Sequence, residues 1–182
     1  RCFLVEEFNR ILISAVALPD FERGIGAFEE KPDLLPFEEA KLYGHNATHA
    51  LLGYVGRTKG LKYIADAAKQ PNLLGLARNA FINESGAALC QRHKGLDNLF
   101  TENGYAAYAE DLLERMVNPH LRDTIERIVR DPARKLGWDD RLAGTMRVCM
   151  AHGIAPSGYA LGAAAAARML ARERNSDVKS VL

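Results

Sequence analysis

The amino-acid sequence predicts a mainly α-helical fold with a small β element at its N-terminus. Two observations lead to this expectation. Prolines and glycines that interrupt regular structure cluster between Pro19 and Pro36, whereas the chain from Phe37 onward repeats apolar residues at helical spacing. A chain of 182 residues, 48% of them hydrophobic, is long enough to bury a sizeable core within one domain, residues 1–182.

The elements follow in order along the chain. The first fourteen residues are rich in Phe, Leu, Val and Ile, which favours an extended segment or two short strands. The stretch GIGAFE, residues 24–29, lacks the third glycine and the helix-opening context of a nucleotide-binding loop, so we expect a turn in a loop-rich region. The periodicity then predicts helices over residues 37–56, 59–68, 72–91, 101–115, 119–130, 139–152 and 157–173.

Several helix starts carry local signals. Asn118-Pro119 and Asp131-Pro132 each place a capping side chain before a proline at the first helical position. Ser157 is a third predicted cap, at the start of the alanine-rich run 157–172. That run is too short and too rich in alanine to span a membrane, so it is predicted to be a close-packed core helix.

The bulk properties exclude several classes of protein. The formal net charge of +1 predicts neither a nucleic-acid partner nor an acidic membrane partner. Cys2, Cys90 and Cys149 show no CxxC spacing, which favours reduced thiols in a cytoplasmic protein over disulfides or a zinc site. The sequence shows no signal peptide and does not begin with methionine, so we expect a fragment or a separately expressed domain.

A first group of polar residues lies in KLYGHNATHALLGY, residues 41–54. On an α-helix, Lys41, His45, Asn46 and His49 fall within an arc of about 140°. Near a helix N-terminus, the dipole and partial burial would lower the pKa of Lys41 and suit it as a base, with Asn46 and His49 holding an alcohol or carbonyl oxygen. The alternative is a solvated helix face. A metal site is disfavoured because the two histidines have no third ligand.

A second group lies in NPHLRDTIERIVRDPARKL, residues 118–136, which is rich in cationic side chains. It suggests a clamp for an anion or a polyol, with Arg127 reaching inward and Lys135 on the following turn or helix. The alternative is a solvated amphipathic helix on which Asp123 and Glu126 offset the positive charge.

Taken together, the two groups resemble the polyol-specific long-chain dehydrogenases, the mannitol dehydrogenase family. That family carries a lysine, an asparagine five residues later and a histidine eight residues later, which Lys41, Asn46 and His49 match. It also carries an NP helix start, then an arginine, and a basic residue eight further on, as in Arg127 and Lys135. Within the family, residues 118–142, FINESGAAL and GIAPSGYALGAAAAA look most like the mannitol-1-phosphate 5-dehydrogenase branch.

The resemblance implies a multi-helical substrate domain like the C-terminal domain of 6-phosphogluconate dehydrogenase. The N-terminal Rossmann domain, which in this family binds most of the NAD, would be absent from this chain, and the fragment alone would be inactive. Lys41 would be the general base, and Asn46 and His49 would hold the reacting oxygen. Arg127 and Lys135 would bind distal hydroxyls or a phosphate, and Glu38 would relay the proton. His45 is outside the family motif and would pack against or tune Lys41.

The implied reaction interconverts mannitol 1-phosphate and fructose 6-phosphate with NAD in the cytoplasm, and the implied partners are the sugar-alcohol phosphate and the protein's own Rossmann domain. Two alternatives stay open on the sequence alone. One is a dehydrogenase or reductase for an unphosphorylated polyol or a hexuronate. The other is a stand-alone, non-catalytic helical domain that binds a sugar or another protein.

Overall fold

The computed structural model describes residues 10–20 and 24–180, and the chain divides into two compact units, one ending at Glu38 and one beginning at Glu39. In the first unit, β1 (Ile11–Ser14) pairs in parallel with β2 (Phe28–Lys31), with Ile11 opposite Phe28. The predicted small β element is therefore confirmed. Its second strand nevertheless lies in the region that we expected to be loop, because strand pairing depends on a distant partner that local composition does not show. The part of the prediction that covers residues 1–9 lies outside the described residues.

The helical elements are α-helices, two π-helical segments and short 3₁₀ turns. Their bounds are α1 (Leu35–Glu39), a first π segment (Ala40–Asn46), α2 (Ala47–Thr58), a 3₁₀ turn (Ile64–Lys69), α3 (Pro71–Asn79), a second π segment (Ala80–Gly86), α4 (Ala87–Arg92), a 3₁₀ turn (Asn98–Phe100), α5 (Glu102–Met116), a 3₁₀ turn (Pro119–Leu121), α6 (Ile125–Ile128), α7 (Pro132–Lys135), α8 (Ala143–Ala151), α9 (Ser157–Glu173) and a 3₁₀ turn (Val178–Ser180). The mainly α-helical prediction is confirmed.

Two of the predicted helices are wrong in detail. Of residues 59–68, only the 3₁₀ turn that begins at Ile64 is helical. The predicted helix 119–130 is divided into a 3₁₀ turn and α6, because Arg122 has a φ of 49°, in the left-handed region. A non-glycine residue in that region cannot continue a right-handed helix.

The caps also differ from the expectation at two positions. The Asn118 side chain accepts a hydrogen bond from the His120 backbone N–H at 2.9 Å, as predicted. Asp131 instead binds Arg134, with 2.7 Å between Arg134 Nε and the carboxylate. Ser157 makes no capping hydrogen bond.

The N-terminus of α9 is held by a side chain from the second π segment. The buried Glu84 carboxylate accepts hydrogen bonds from the backbone N–H groups of Gly158 at 2.8 Å and Tyr159 at 3.3 Å. A carboxylate is favoured at this end of a helix because the first N–H groups have no partner within the helix and the dipole is positive there. Glu84 therefore does what the sequence assigned to Ser157.

The core of the larger unit forms where α9 packs along α2. Leu51 and Tyr159 are fully buried with Ala47 and Ala80, and a Cβ on Gly162 would lie 3.2 Å from the Leu51 Cα. The small residues of α9 thus let the two helices approach closely, which confirms the prediction of a close-packed core helix. Among the residues that the structure describes, no helix is long and apolar enough to cross a membrane.

Candidate functional site

The first group of predicted site residues lies on the helical run from the first π segment into α2. Lys41 is exposed, whereas His45, Asn46 and His49 are partly buried. The rings of His45 and His49 are stacked, with their centroids 6.3 Å apart and their planes 18° from parallel. The structure therefore brings the two histidines together on one side of this run.

The π-helical conformation changes the geometry that we expected for Lys41 and Asn46. Angles drawn on an α-helix do not apply to Ala40–Asn46, where backbone hydrogen bonds run to the fifth residue instead of the fourth. Residues five apart, such as Lys41 and Asn46, come closer to one face there than they would on an α-helix. Segments of this kind often occur at functional sites.

The argument that placed Lys41 at a helix N-terminus is wrong. The helical run begins at Leu35, so Lys41 is its seventh residue. The dipole acts mainly within the first turn. In this chain Lys41 is also exposed instead of partly buried. Its proposed role therefore rests on its neighbours and not on the dipole.

Gly44 lets the first π segment approach the helices beneath it. A Cβ at Gly44 would lie 2.3 Å from the Tyr105 hydroxyl and 2.7 Å from the Phe81 ring, both of which are buried. Within the described part of the chain, the Tyr105 hydroxyl has no hydrogen-bond partner. The backbone between Lys41 and His45 is thus held against a tightly packed aromatic floor.

His45 is an electrostatic neighbour of Lys41. Burial lowers the pKa of His45 to about 4, and the nearby positive charges of His49, Arg115 and Lys41 lower it further. The ring of His45 is therefore neutral at neutral pH and adds no charge beside Lys41. This arrangement agrees with the supporting position that the sequence gave to His45.

Asp123 joins the two predicted groups, and sequence reasoning missed this role. His49 Nε2 lies 3.0 Å from Asp123 Oδ2. Arg127 grips the same carboxylate from the other side, with Nε 2.6 Å from Oδ1 and Nη2 2.5 Å from Oδ2. Burial raises the pKa of Asp123, but the hydrogen bonds from His49 and Arg127 outweigh burial and hold the pKa well below its usual range.

The sequence offered one signal for Asp123, its position four residues before Arg127. That spacing suggested only an exposed ion pair on a helix. The structure shows a carboxylate whose side chain is 14% exposed, just before α6 begins. No local pattern could show that it meets a histidine 74 positions earlier.

Backbone contacts fix the segment that carries Asp123. Its carbonyl accepts a hydrogen bond from Ile64 N–H at 3.0 Å, and the next residue, Thr124, forms an isolated antiparallel bridge with Tyr63. The Thr124 side chain also caps α6 by accepting a hydrogen bond from Arg127 N–H at 3.2 Å. The position of the carboxylate is therefore set by the fold.

Close packing of α6 on α2 brings this segment to His49. Gly53, one turn after His49, has no side chain, and a Cβ there would lie 2.3 Å from the Ile128 side chain. Gly56, a further turn on, gives similar room to Ile125, at 3.2 Å. Two glycines in α2 thus allow α6 to come near enough for Asp123 to reach the imidazole.

Arg127 does not reach inward as we expected. Its side chain is 60% exposed, and its Nε and Nη2 both bind Asp123. The remaining guanidinium N–H groups are free of Asp123 and available to a ligand. Arg127 is thus brought to the histidines through Asp123 while it keeps an exposed edge.

Lys135 occupies a different environment. The residue is 6% exposed, and its amino group donates a hydrogen bond to the Arg130 carbonyl instead of contacting His49 or Asp123. Burial lowers the pKa of Lys135 to about 8, and the positive charges of Arg141 and Arg134 act in the same direction. In this conformation the lysine serves the packing of α7.

Glu38 is exposed and belongs to the smaller, N-terminal unit. In that unit, residues 24–27 lead into β2 and not into a helix, as expected of a turn. The two short strands of that unit form no phosphate-binding strand–loop–helix. The described residues therefore do not provide a nucleotide-binding site of the Rossmann type.

Within residues 10–20 and 24–180, no group of three or more histidine, cysteine, aspartate or glutamate side chains could hold a metal ion. Two surface cavities of about 530 and 720 Å³ lie along α9, and neither is lined by Lys41, Asn46 or His49. The candidate site is thus an open surface with an exposed amine, an amide, an oriented imidazole and a guanidinium. Such groups can take up a proton and bind the oxygens of a polar ligand.

Comparison with known proteins gives a consistent result. Residues 33–180 match the family model described as the mannitol dehydrogenase C-terminal domain. The mannitol-1-phosphate 5-dehydrogenase of Bacillus licheniformis is 39% identical over 134 residues, which cover 74% of this chain and 34% of that protein. The enzymes of the same name from Exiguobacterium sibiricum and Lacticaseibacillus casei are 34% and 31% identical over 89% and 82% of this chain. The chain spans about two fifths of the length of these relatives, 41% and 38% for the last two.

Proposed function

The chain belongs to the mannitol dehydrogenase family, and we propose that it is the substrate-binding half of an NAD-dependent enzyme that interconverts mannitol 1-phosphate and fructose 6-phosphate. The observation that carries the proposal is the placement of Lys41, Asn46 and His49 on one helical run in a member of this family. The part of the protein outside this chain would hold the nicotinamide cofactor, which would accept the hydride.

Lys41 is proposed to be the general base. Its amino group lies on the exposed side of the helical run, where a second domain and a substrate can approach it. In alcohol oxidation, Nζ would take the hydroxyl proton from the substrate, and in ketone reduction it would return a proton to the same oxygen. The neutral ring of His45 beside it leaves the charge of that site to Lys41 and the substrate.

Asn46 and His49 are proposed to hold the reacting oxygen. The Asn46 amide would donate a hydrogen bond to it, which stabilises the charge that develops on the oxygen as the proton leaves. His49 would contact the same oxygen through Nδ1, since Nε2 is engaged with Asp123. Both side chains follow Lys41 within two turns and need no rearrangement of the chain.

Arg127 is proposed to bind the phosphate or the distal hydroxyls of the substrate. Its exposed edge supports this role, since two N–H groups on Asp123 still leave donors for an anion. Lys135 is proposed as a second ligand, which requires its amino group to leave the Arg130 carbonyl. Glu38 is proposed to pass the proton to solvent, and its exposed carboxylate is compatible with that step. A cytoplasmic setting is part of the proposal and agrees with the free thiols of Cys90 and Cys149.

A substrate panel tests this function. The full-length gene product is expressed, and NADH formation is followed with mannitol 1-phosphate, mannitol and a hexonate, together with NADH oxidation by the matching ketoses and hexuronates. We expect the phosphate ester to give the highest kcat/KM. A preference for mannitol or the hexonate would replace the substrate class, and lack of turnover of every substrate would overturn the enzyme assignment in favour of a stand-alone binding domain.

The coding sequence upstream of this chain separates the enzyme from the binding domain in a second way. About 200 residues that open with a Rossmann glycine fingerprint would support the dehydrogenase. A Lys41→Ala variant completes the test, because loss of a proton-transfer base lowers turnover by about 10²- to 10⁴-fold.

A further inference from the structure

We propose that Asp123 is a positioning residue that fixes the ring and the tautomer of His49, so that Nδ1 faces the substrate oxygen. The inference deepens the proposed function and rests on it. The juxtaposition of His49, Asp123 and Arg127 carries it, since it links one predicted group of site residues to the other.

The hydrogen-bonding capacity of the carboxylate sets the tautomer. The hydrogen bonds from His49 and Arg127 keep the pKa of Asp123 low, so the carboxylate is ionised and can only accept hydrogen bonds. The 3.0 Å contact between His49 Nε2 and Asp123 Oδ2 must then be a hydrogen bond that Nε2–H donates. A neutral His49 therefore carries its proton on Nε2 and leaves a lone pair on Nδ1.

Asp123 is itself held so that it can orient the ring. Arg127 binds both of its oxygens, its backbone carbonyl accepts from Ile64 N–H, and Thr124 anchors the next residue. The carboxylate thus has little freedom to follow the imidazole if the ring rotates. A fixed acceptor of this kind imposes one ring orientation on its donor.

The tautomer has a chemical consequence for each direction of the reaction. A neutral His49 can accept a hydrogen bond from a substrate alcohol at Nδ1, which orients the hydroxyl for loss of its proton to Lys41. Nδ1 donates to a ketone oxygen only when the ring carries a second proton, and the negative charge of Asp123 stabilises that imidazolium. Asp123 therefore supports both directions without touching the substrate.

Asp123→Asn is the discriminating variant. An asparagine can rotate its amide so that its NH₂ group donates to Nε2, which moves the ring proton to Nδ1. In the serine-protease triad, a change of this kind preserves geometry but lowers kcat about 10⁴-fold through the wrong tautomer. Here His49 assists instead of acting as the base, so we expect kcat to fall about 10²-fold with a smaller change in KM.

Glu110→Gln is the matched control. Glu110 is also gripped by two nitrogens of one arginine, with Arg78 Nε and Nη2 at 2.6 and 2.9 Å, but no histidine hydrogen bond joins it in the described residues. Both variants thus lose one carboxylate of an arginine pair. We expect Glu110→Gln to keep the wild-type kcat, so that loss of an ion pair alone does not explain the effect of Asp123→Asn.

Nitrogen-15 NMR of the imidazole rings in the full-length enzyme reads the tautomer directly. We expect wild-type His49 to show the proton on Nε2, and Asp123→Asn to shift it toward Nδ1. A proton on Nδ1 in the wild type would overturn the proposal, even if the variant failed to fold. Wild-type kcat in a folded Asp123→Asn, or a lower kcat with an unchanged tautomer, would also overturn it.

A double-mutant cycle asks whether Asp123 acts through His49. In a His49→Gln background, Asp123→Asn should lower kcat by no more than about twofold, because the ring that it positions is gone. An undiminished hundredfold loss would contradict the proposal. If the wild-type enzyme turned over no polyol at all, the proposed function would fail, whereas the NMR measurement would still decide the tautomer.

Discussion

Gly44→Ala tests whether the close approach of the first π segment to its aromatic floor is as tight as the structure shows. The added methyl group would lie 2.3 Å from the Tyr105 hydroxyl and 2.7 Å from the Phe81 ring. Carbon atoms in ordinary contact are about 3.5–4.0 Å apart, so one side must move by about an ångström. Neither neighbour has room to move, since Tyr105 and Phe81 are 1% and 0% exposed.

Overpacking of a buried site costs about 1–3 kcal/mol, and two rigid buried neighbours place this substitution at about 3 kcal/mol. For a chain of this size, that corresponds to a fall in Tm of about 6–12 °C. Urea unfolding followed by circular dichroism measures the free energy. Gly75→Ala is the matched control, because Gly75 is an exposed helical glycine with nothing within 4 Å of the added Cβ.

We expect Gly75→Ala to raise stability by about 0.5–1 kcal/mol, since alanine is the better helix former. Removing the hydroxyl in a Gly44→Ala/Tyr105→Phe variant should recover about 1 kcal/mol, because the nearest clash disappears. If Gly44→Ala were as stable as Gly75→Ala, or if Tyr105→Phe gave no recovery, the reasoning about this contact would be refuted.

Two further predictions concern pH and capping. The pKa of His45 is lowered from 6.5 to about 4, chiefly by burial, so the unfolded chain binds the proton first and about 3 kcal/mol of stability is lost as pH falls from 6.5 to 4. Urea unfolding at pH 7 and pH 4.5 should show a shallower pH dependence in His45→Gln, and equal dependences would contradict the assignment. Glu84→Gln should lower stability by about 1–2 kcal/mol through the N-terminus of α9, and an unchanged urea midpoint would show that the carboxylate is dispensable there.

Periodicity and breaker residues were sufficient for the main helices because they record which face of each segment is buried. The run 157–173, for example, shows its packing in its alanines, and α9 has those bounds. Neither feature records hydrogen bonding to the fifth residue, so the two π segments, which carry Lys41 and Glu84, could not be predicted. The left-handed residue Arg122, which interrupts the expected helix 119–130, is equally invisible in the sequence.

The candidate site divides in the same way. The spacing of Lys41, Asn46 and His49 was legible because one helical run carries all three. Asp123 was not, because its contact with His49 depends on the glycines that let α6 approach α2 and on the backbone bonds that hold its segment. Contacts between distant segments are properties of the packed fold.

The central claim is that Lys41 transfers the proton, and chemical rescue of Lys41→Ala tests it most directly. In the full-length enzyme, with Lys94→Ala as an exposed-lysine control, we expect Lys41→Ala to lower kcat at least about 10²-fold and Lys94→Ala to leave it unchanged. Added methylamine should restore part of the lost turnover in Lys41→Ala alone, because a small amine can occupy the vacated space and act as the base. Wild-type turnover in Lys41→Ala would contradict the account.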